Sequence, residues 1–145
     1  MGESPVPGPK LVPELYCSDL ATSLAFYTEV MGFRVRYARP EERFASLELD
    51  GAELMLEQPG DPARTFLAAE LRRPFGRGVN LSVEVTDIAA LHARAERAGA
   101  RILLPLEDCW YRQDDREAGN RQLVVLDPDG YLLRPFESLG TRPLQ

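Results

Sequence analysis

The feature that most constrains this chain is an internal repeat. Asp19-Leu20-Ala21 recurs as Asp87-Ile88-Ala89, Gly32-Phe33-Arg34-Val35 as Gly99-Ala100-Arg101-Ile102, and Asp50-Gly51 as Asp129-Gly130. Each copy reads as strand, helix, then three strands. A duplicated unit of this kind buries one face of each sheet against its helix. That predicts an α+β fold of two tandem βαβββ modules. The length of 145 residues suits one domain made of two small fused copies.

In the first copy Leu11 to Tyr16 reads as a strand with Pro13 inside it. Proline cannot donate to a ladder, so this strand belongs at an edge or an exchange point. Asp19 caps a helix, with Leu20, Leu24, Tyr27 and Met31 on one face and Gly32 ending it. Strands follow at Phe33 to Ala38, Phe44 to Leu49 and Ala52 to Gln58, the last two joined by a tight Asp50-Gly51 turn. In the second copy Val79, Leu81, Val83 and Val85 alternate with polar residues. Asp87 caps a helix with Ile88, Leu91, Ala95 and Ala98 on its apolar side. Residues 100–104 form a strand, and Gln122 to Leu126 pairs with Tyr131 to Phe136 across Asp127-Pro128-Asp129-Gly130.

The expected layout is a tail over residues 1–10, a first module over 11–58, a linker over 59–76, a second module over 77–138 and a tail over 139–145. Gly32 to Gly51 spans 19 residues, whereas Gly99 to Gly130 spans 31. The excess of about twelve residues falls between Leu103 and Asn120. It reads as a long polar loop, and a long loop on a regular scaffold is a functional candidate.

Composition narrows the function classes. Lys and Arg number 17 against 23 Asp and Glu, a net charge of −6, which is the wrong sign for a general nucleic-acid binder. No stretch approaches the roughly 18 apolar residues of a membrane span. The start, MGESPVPGPK, lacks the basic and apolar regions of a secretion signal. Two cysteines, Cys17 and Cys109, make no disulfide framework. The expectation is a cytoplasmic protein with free thiols and a small-molecule partner. No nucleophile elbow is present, neither cysteine has a nearby histidine, and Gly76-Arg77-Gly78 leads into a strand rather than a helix. The sequence makes no positive case for an enzyme.

The phrases Asp19-Leu20, Ala25-Phe26-Tyr27, Met31-Gly32-Phe33 and Asp127-Pro128-Asp129-Gly130-Tyr131 together resemble the vicinal oxygen chelate superfamily of glyoxalases, bleomycin resistance proteins and dioxygenases. Val12-Pro13-Glu14-Leu15, Leu54-Met55-Leu56-Glu57 and Asp129-Gly130-Tyr131-Leu132-Leu133-Arg134 look most like the bleomycin resistance proteins. That resemblance implies curved mixed sheets around a cleft, in a homodimer that exchanges its N-terminal strands near Pro13, with ligand clefts between subunits. It also implies a protein that sequesters a glycopeptide antibiotic or similar small molecule without chemistry. The alternative is a metal-dependent lyase or dioxygenase of the glyoxalase-related type.

Aligned on the repeat, the four metal-ligand positions of the superfamily fall at Leu11, Met55, Gly78 and Arg134, none a credible ligand. The sole histidine, His92, lies on the second helix. No metal or other cofactor is therefore expected, although a slip of strand register brings Glu14, Glu57 or Glu137 into play. Alternation places Met55 and Glu57 opposite Leu54 and Leu56, Ser82 opposite Val83, and Arg134 opposite Leu133. Tyr37 and Phe44 match aromatic positions that line the drug cleft in the resembled family. Those proteins carry a Trp-Gly pair where this chain has Ala118-Gly119. Trp110 and Tyr111, in the expected loop, are the substitutes. The candidate ligand-binding set is thus Tyr37, Phe44, Met55, Glu57, Ser82, Trp110, Tyr111 and Arg134.

Overall fold

The structure is a computed structural model describing residues 8–145; the expected tail at 1–10 lies outside the described residues as far as residue 7. Two four-stranded mixed sheets carry two helices in the duplicated βαβββ order. In the first module β1 (Glu14–Tyr16) is followed by α1 (Leu20–Ala25), then β2 (Arg34–Arg39), β3 (Phe44–Leu49) and β4 (Ala52–Glu57). The sheet order is β1-β4-β3-β2. The second module repeats this with β5 (Asn80–Glu84), α2 (Ile88–Arg97), β6 (Arg101–Gln113), β7 (Arg116–Leu126) and β8 (Leu132–Pro143), ordered β5-β8-β7-β6. Among the described residues no helix is long and apolar enough to cross a membrane.

Strand β1 is shorter than expected because Pro13 has no N–H; its carbonyl still accepts from the Met55 N–H at 2.9 Å. The strand lies parallel to β4 of its own chain, Glu14 opposite Met55 and Tyr16 opposite Glu57. Asp19 caps α1 through its side chain, which accepts from the Thr22 N–H at 3.1 Å. The helix then widens into a π-helical turn, Phe26–Val30, before Gly32 ends it at φ 89°. One core joins the modules. Leu47, Leu54 and Leu56 of the first sheet share it with Leu123, Val125 and Leu133 of the second, and Tyr27, Met31, Ile88 and Leu91 of the helical segments pack among them. Each sheet turns its other face outward.

A buried polar constellation secures the junction. The Tyr27 hydroxyl donates to Asp127 Oδ2 at 2.8 Å, while Asp127 Oδ1 accepts from the Asp129 and Tyr131 N–H groups, both at 2.9 Å. Asp129 in turn accepts from the Ser18 N–H, the Ser18 hydroxyl and Arg73. Burial holds Asp127 above the usual carboxylate range against the pull of these donors.

The largest departure from expectation concerns residues 105–119. They form no loop. They lengthen β6 and β7 into a hairpin whose turn passes through Asp114 at φ 53°. Strand β8 follows them to Pro143, so residues 139–143 are strand rather than tail. Apolar alternation marks a strand only when one face is buried. Here Leu106 packs against the core at the base of the arm, and the rest of the arm holds through cross-strand contacts. Arg121 grips Asp108 with two hydrogen bonds of 2.8 and 3.1 Å, and Arg142 meets Glu117 at 2.6 Å. Pro105 is tolerated because β6 is an edge strand bulged on either side of Leu104.

Candidate functional site

The outer face of the first sheet holds a cleft of about 610 Å³. Strand alternation builds it: Glu14 and Tyr16 on β1, Met55 and Glu57 on β4, Phe44 on β3, and Tyr37 and Arg39 on β2 share this face. Gly60, Asp61, Arg64, Thr65 and Phe66 of the following segment form its wall. That wall is tied down by the Phe66 N–H, which donates to the Tyr16 hydroxyl oxygen at 2.9 Å. A volume of this order suits a small molecule.

Four of the expected residues, Tyr37, Phe44, Met55 and Glu57, meet in this cleft, and they differ in reach. Tyr37 is 46% exposed and presents its ring. Phe44 is 3% exposed, because the Arg39 guanidinium lies 4.0 Å over its ring and Tyr37 flanks it at 6.1 Å. Its contribution is therefore to seat Arg39, which Glu42 holds from the other side at 2.7 Å. Glu14 stands beside Glu57. Partial burial and the neighbouring Glu57 carboxyl hold Glu14 above the usual carboxylate range, while Arg39 pulls the other way. Glu14 entered the sequence reading only through a slip of register, Tyr16 becomes visible through pairing with β4, and Phe66 sits in a segment with no periodic signal.

The other four residues lie elsewhere. Ser82 and Arg134 are cross-strand neighbours on the outer face of the second sheet, where Arg134 Nε and Nη2 donate to the Ser82 hydroxyl at 3.1 and 3.0 Å. Tyr111 is on that same face and accepts from Gln122 Nε2 at 2.6 Å. Trp110 is not. As the strand neighbour of Tyr111 it points to the opposite side, directly across from Gly119. Any Cβ at Gly119 would come within 2.8 Å of the indole, and the Arg142 guanidinium stacks 3.9 Å above the ring. The expectation that Trp110 and Tyr111 fold together over one cleft is corrected as to geometry: Trp110 packs between Gly119 and Arg142 on one face of the arm, and Tyr111 shares the opposite face with Ser82 and Arg134.

The superfamily's metal chemistry requires four ligands at the strand ends. Leu11 is 85% exposed ahead of β1 and Gly78 precedes β5, Met55 offers only a thioether, and Arg134 brings a cation. His92 pairs with Glu96 at 3.1 Å on α2. Among the described residues no group of three or more His, Cys, Asp or Glu side chains is placed to hold a metal ion. This donor set does not fit a divalent ion. Cys17 is 1% exposed, and burial pushes its thiol up to about 11, which suppresses the reactive thiolate.

Comparison with known proteins agrees with the architecture. An uncharacterized protein of Mycobacterium bovis is 30% identical over 131 residues, covering 85% of this chain and 79% of that protein. The crystal structure of TioX from a Micromonospora species superposes with a TM-score of 0.70 at 27% identity, covering 91% of this chain and all of that one. A virulence protein of Salmonella typhimurium shares the fold, with a TM-score of 0.63 at 20% identity over 91% of this chain and 98% of its own. The family model described as the glyoxalase/bleomycin resistance protein/dioxygenase superfamily matches residues 11–134. The chain belongs to that superfamily.

Proposed function

We propose that this protein captures a small, partly cationic molecule of the glycopeptide-antibiotic kind and holds it without making or breaking bonds, in the manner of the bleomycin resistance proteins it resembles. The cleft over Glu14 and Glu57 carries this reading. Its floor joins two carboxyl groups to the open Tyr37 ring and the Met55 thioether. An aromatic face and a carboxylate together suit a planar cation.

A single chain offers only half of such a site. The face bearing Ser82, Tyr111 and Arg134 belongs to the second sheet, and none of the three lines the cleft. We infer a homodimer in which the second-module face of one copy closes the first-module cleft of the other. Exchange of the strands that start after Pro13 would make the β1–β4 pairing between copies instead of within one. The unpaired thiols of Cys17 and Cys109 agree with a cytoplasmic location. The test is calorimetric titration with bleomycin, paired with light scattering. The expected result is saturable binding with drug recovered unchanged, on a particle of twice the chain mass. Absence of binding at high micromolar drug overturns the ligand assignment, and a monomer overturns the composite cleft.

A further inference from the structure

Gln122 is an anomaly on an outward sheet face. It is 1% exposed, and its Oε1 is buried with no hydrogen-bond partner. Its orientation is set by its neighbours. Glu107 lies opposite it on β6, and the Glu107 carboxylate accepts from Nε2 at 3.3 Å. The second Nε2 hydrogen goes to the Tyr111 hydroxyl oxygen at 2.6 Å. A carboxylate only accepts, so the nitrogen must face it and the oxygen must face away. Because Tyr111 accepts from Gln122, its own hydroxyl proton is free to donate. Oε1 and the Tyr111 hydroxyl are thus an acceptor and a donor offered by neighbouring side chains on one sheet face. Phe136, half-buried and directly opposite Gln122 on β8, supplies an aromatic surface beside them.

A buried acceptor without a partner in a native fold calls for an explanation. We infer that Gln122 and Tyr111 read a carboxamide or lactam on the ligand. Its N–H donates to Gln122 Oε1 and its carbonyl accepts from the Tyr111 hydroxyl, while Glu107 holds the Gln122 amide in register. Tyr111, on the edge strand and 39% exposed, is the cover that swings to admit the group. This deepens the proposed function and rests on it for the identity of the face, naming the chemical group that the second module recognises.

The test uses the full chain, labelled with nitrogen-15, and nicotinamide as probe. Nicotinamide carries one planar carboxamide on an aromatic ring. The expected result is a saturable shift of the Gln122 side-chain amide resonances. Gln122→Met keeps the length and removes the acceptor, and should weaken binding about tenfold, the scale of one hydrogen bond. Tyr111→Phe should weaken it by a smaller factor. Nicotinic acid, which has no N–H to offer Oε1, should bind at least as poorly as nicotinamide does to Gln122→Met. The inference is overturned if no saturable shift occurs, or if Gln122→Met binds as the wild type does. Should that variant fail to fold, equal binding of nicotinamide and nicotinic acid to the wild type overturns it instead. The two readings separate cleanly. Bleomycin binding that ignores Gln122→Met leaves the capture function standing and removes this inference. A carboxamide read by Gln122 in a chain that ignores bleomycin does the reverse.

Discussion

The two modules descend from one pattern and use it differently. In the first, β2, β3 and β4 are six residues each, and the outer face is a compact cleft walled by the segment after β4. In the second, β6, β7 and β8 run to 13, 11 and 12 residues, and the outer face is an open polar sheet continuing into an arm. The inner faces have not diverged in kind: both present aliphatic side chains to the shared core, Leu and Ala from the first sheet and Leu and Val from the second. Inner positions answer to packing, which tolerates little change in volume. Outer positions answer only to what they touch, and the two modules there have taken up different partners.

The largest expected effect tests whether the junction depends on one module's turn. Asp127 satisfies three donors, two of them N–H groups of its own turn and the third the buried Tyr27 hydroxyl. Asp127→Ala should cost about 3 kcal/mol in denaturant unfolding, because it strands buried donors. Its counterpart in the repeat is Glu48, which pairs with the exposed Arg34; Glu48→Ala should cost less than about 1 kcal/mol. Equal losses would mean that the modules share the burden at both turns.

Trp110→Ala comes next. Removing the indole between Gly119 and Arg142 should cost the arm about 1–2 kcal/mol of local stability. Amide exchange should quicken across residues 107–119 and stay unchanged in β2, β3 and β4. A change spread through both modules would show that the arm is not a separate cooperative element. Because the indole faces away from Tyr111, its fluorescence should also stay constant when a ligand fills the first-module cleft.

The third comparison sets the two cysteines against each other. The Cys17 thiol is pushed up to about 11 by burial, against an ordinary value of 9.0. The unfolded chain therefore loses this proton first as pH rises. The stability that Cys17 contributes is complete below pH 9.0 and is lost as pH climbs through about 11. Melting temperatures followed from pH 8 upward should fall less in Cys17→Ala than in wild type, whereas Cys109→Ala, on the arm, should leave the fall in place. The smallest effect is Glu57→Gln, which should weaken a cationic ligand severalfold at low salt and less at high salt. No salt dependence would move the charge recognition to the second module's face.

Much of the fold was legible because it is local. Asp19 and Asp87 do cap helices, Gly32, Gly51, Gly99 and Gly130 do sit at positive φ, and Phe44–Leu49 and Ala52–Glu57 do pair across Asp50-Gly51. The alternation that sets Met55 and Glu57 against Leu54 and Leu56 was also correct as to face. The arm was illegible because beyond Leu106 its side chains do not join the core, so no apolar period betrays its strands.

The sequence by itself determined the duplicated βαβββ order, the turns and the inward faces, since these follow from periods of two and 3.6 residues and from the φ angles that glycine permits. Only the tertiary structure decided the rest. It placed Phe44 under Arg39, turned Trp110 away from Tyr111, and left Gln122 Oε1 buried without a partner. Those outcomes depend on contacts between polar and aromatic side chains of paired strands, which the spacing of apolar residues does not encode.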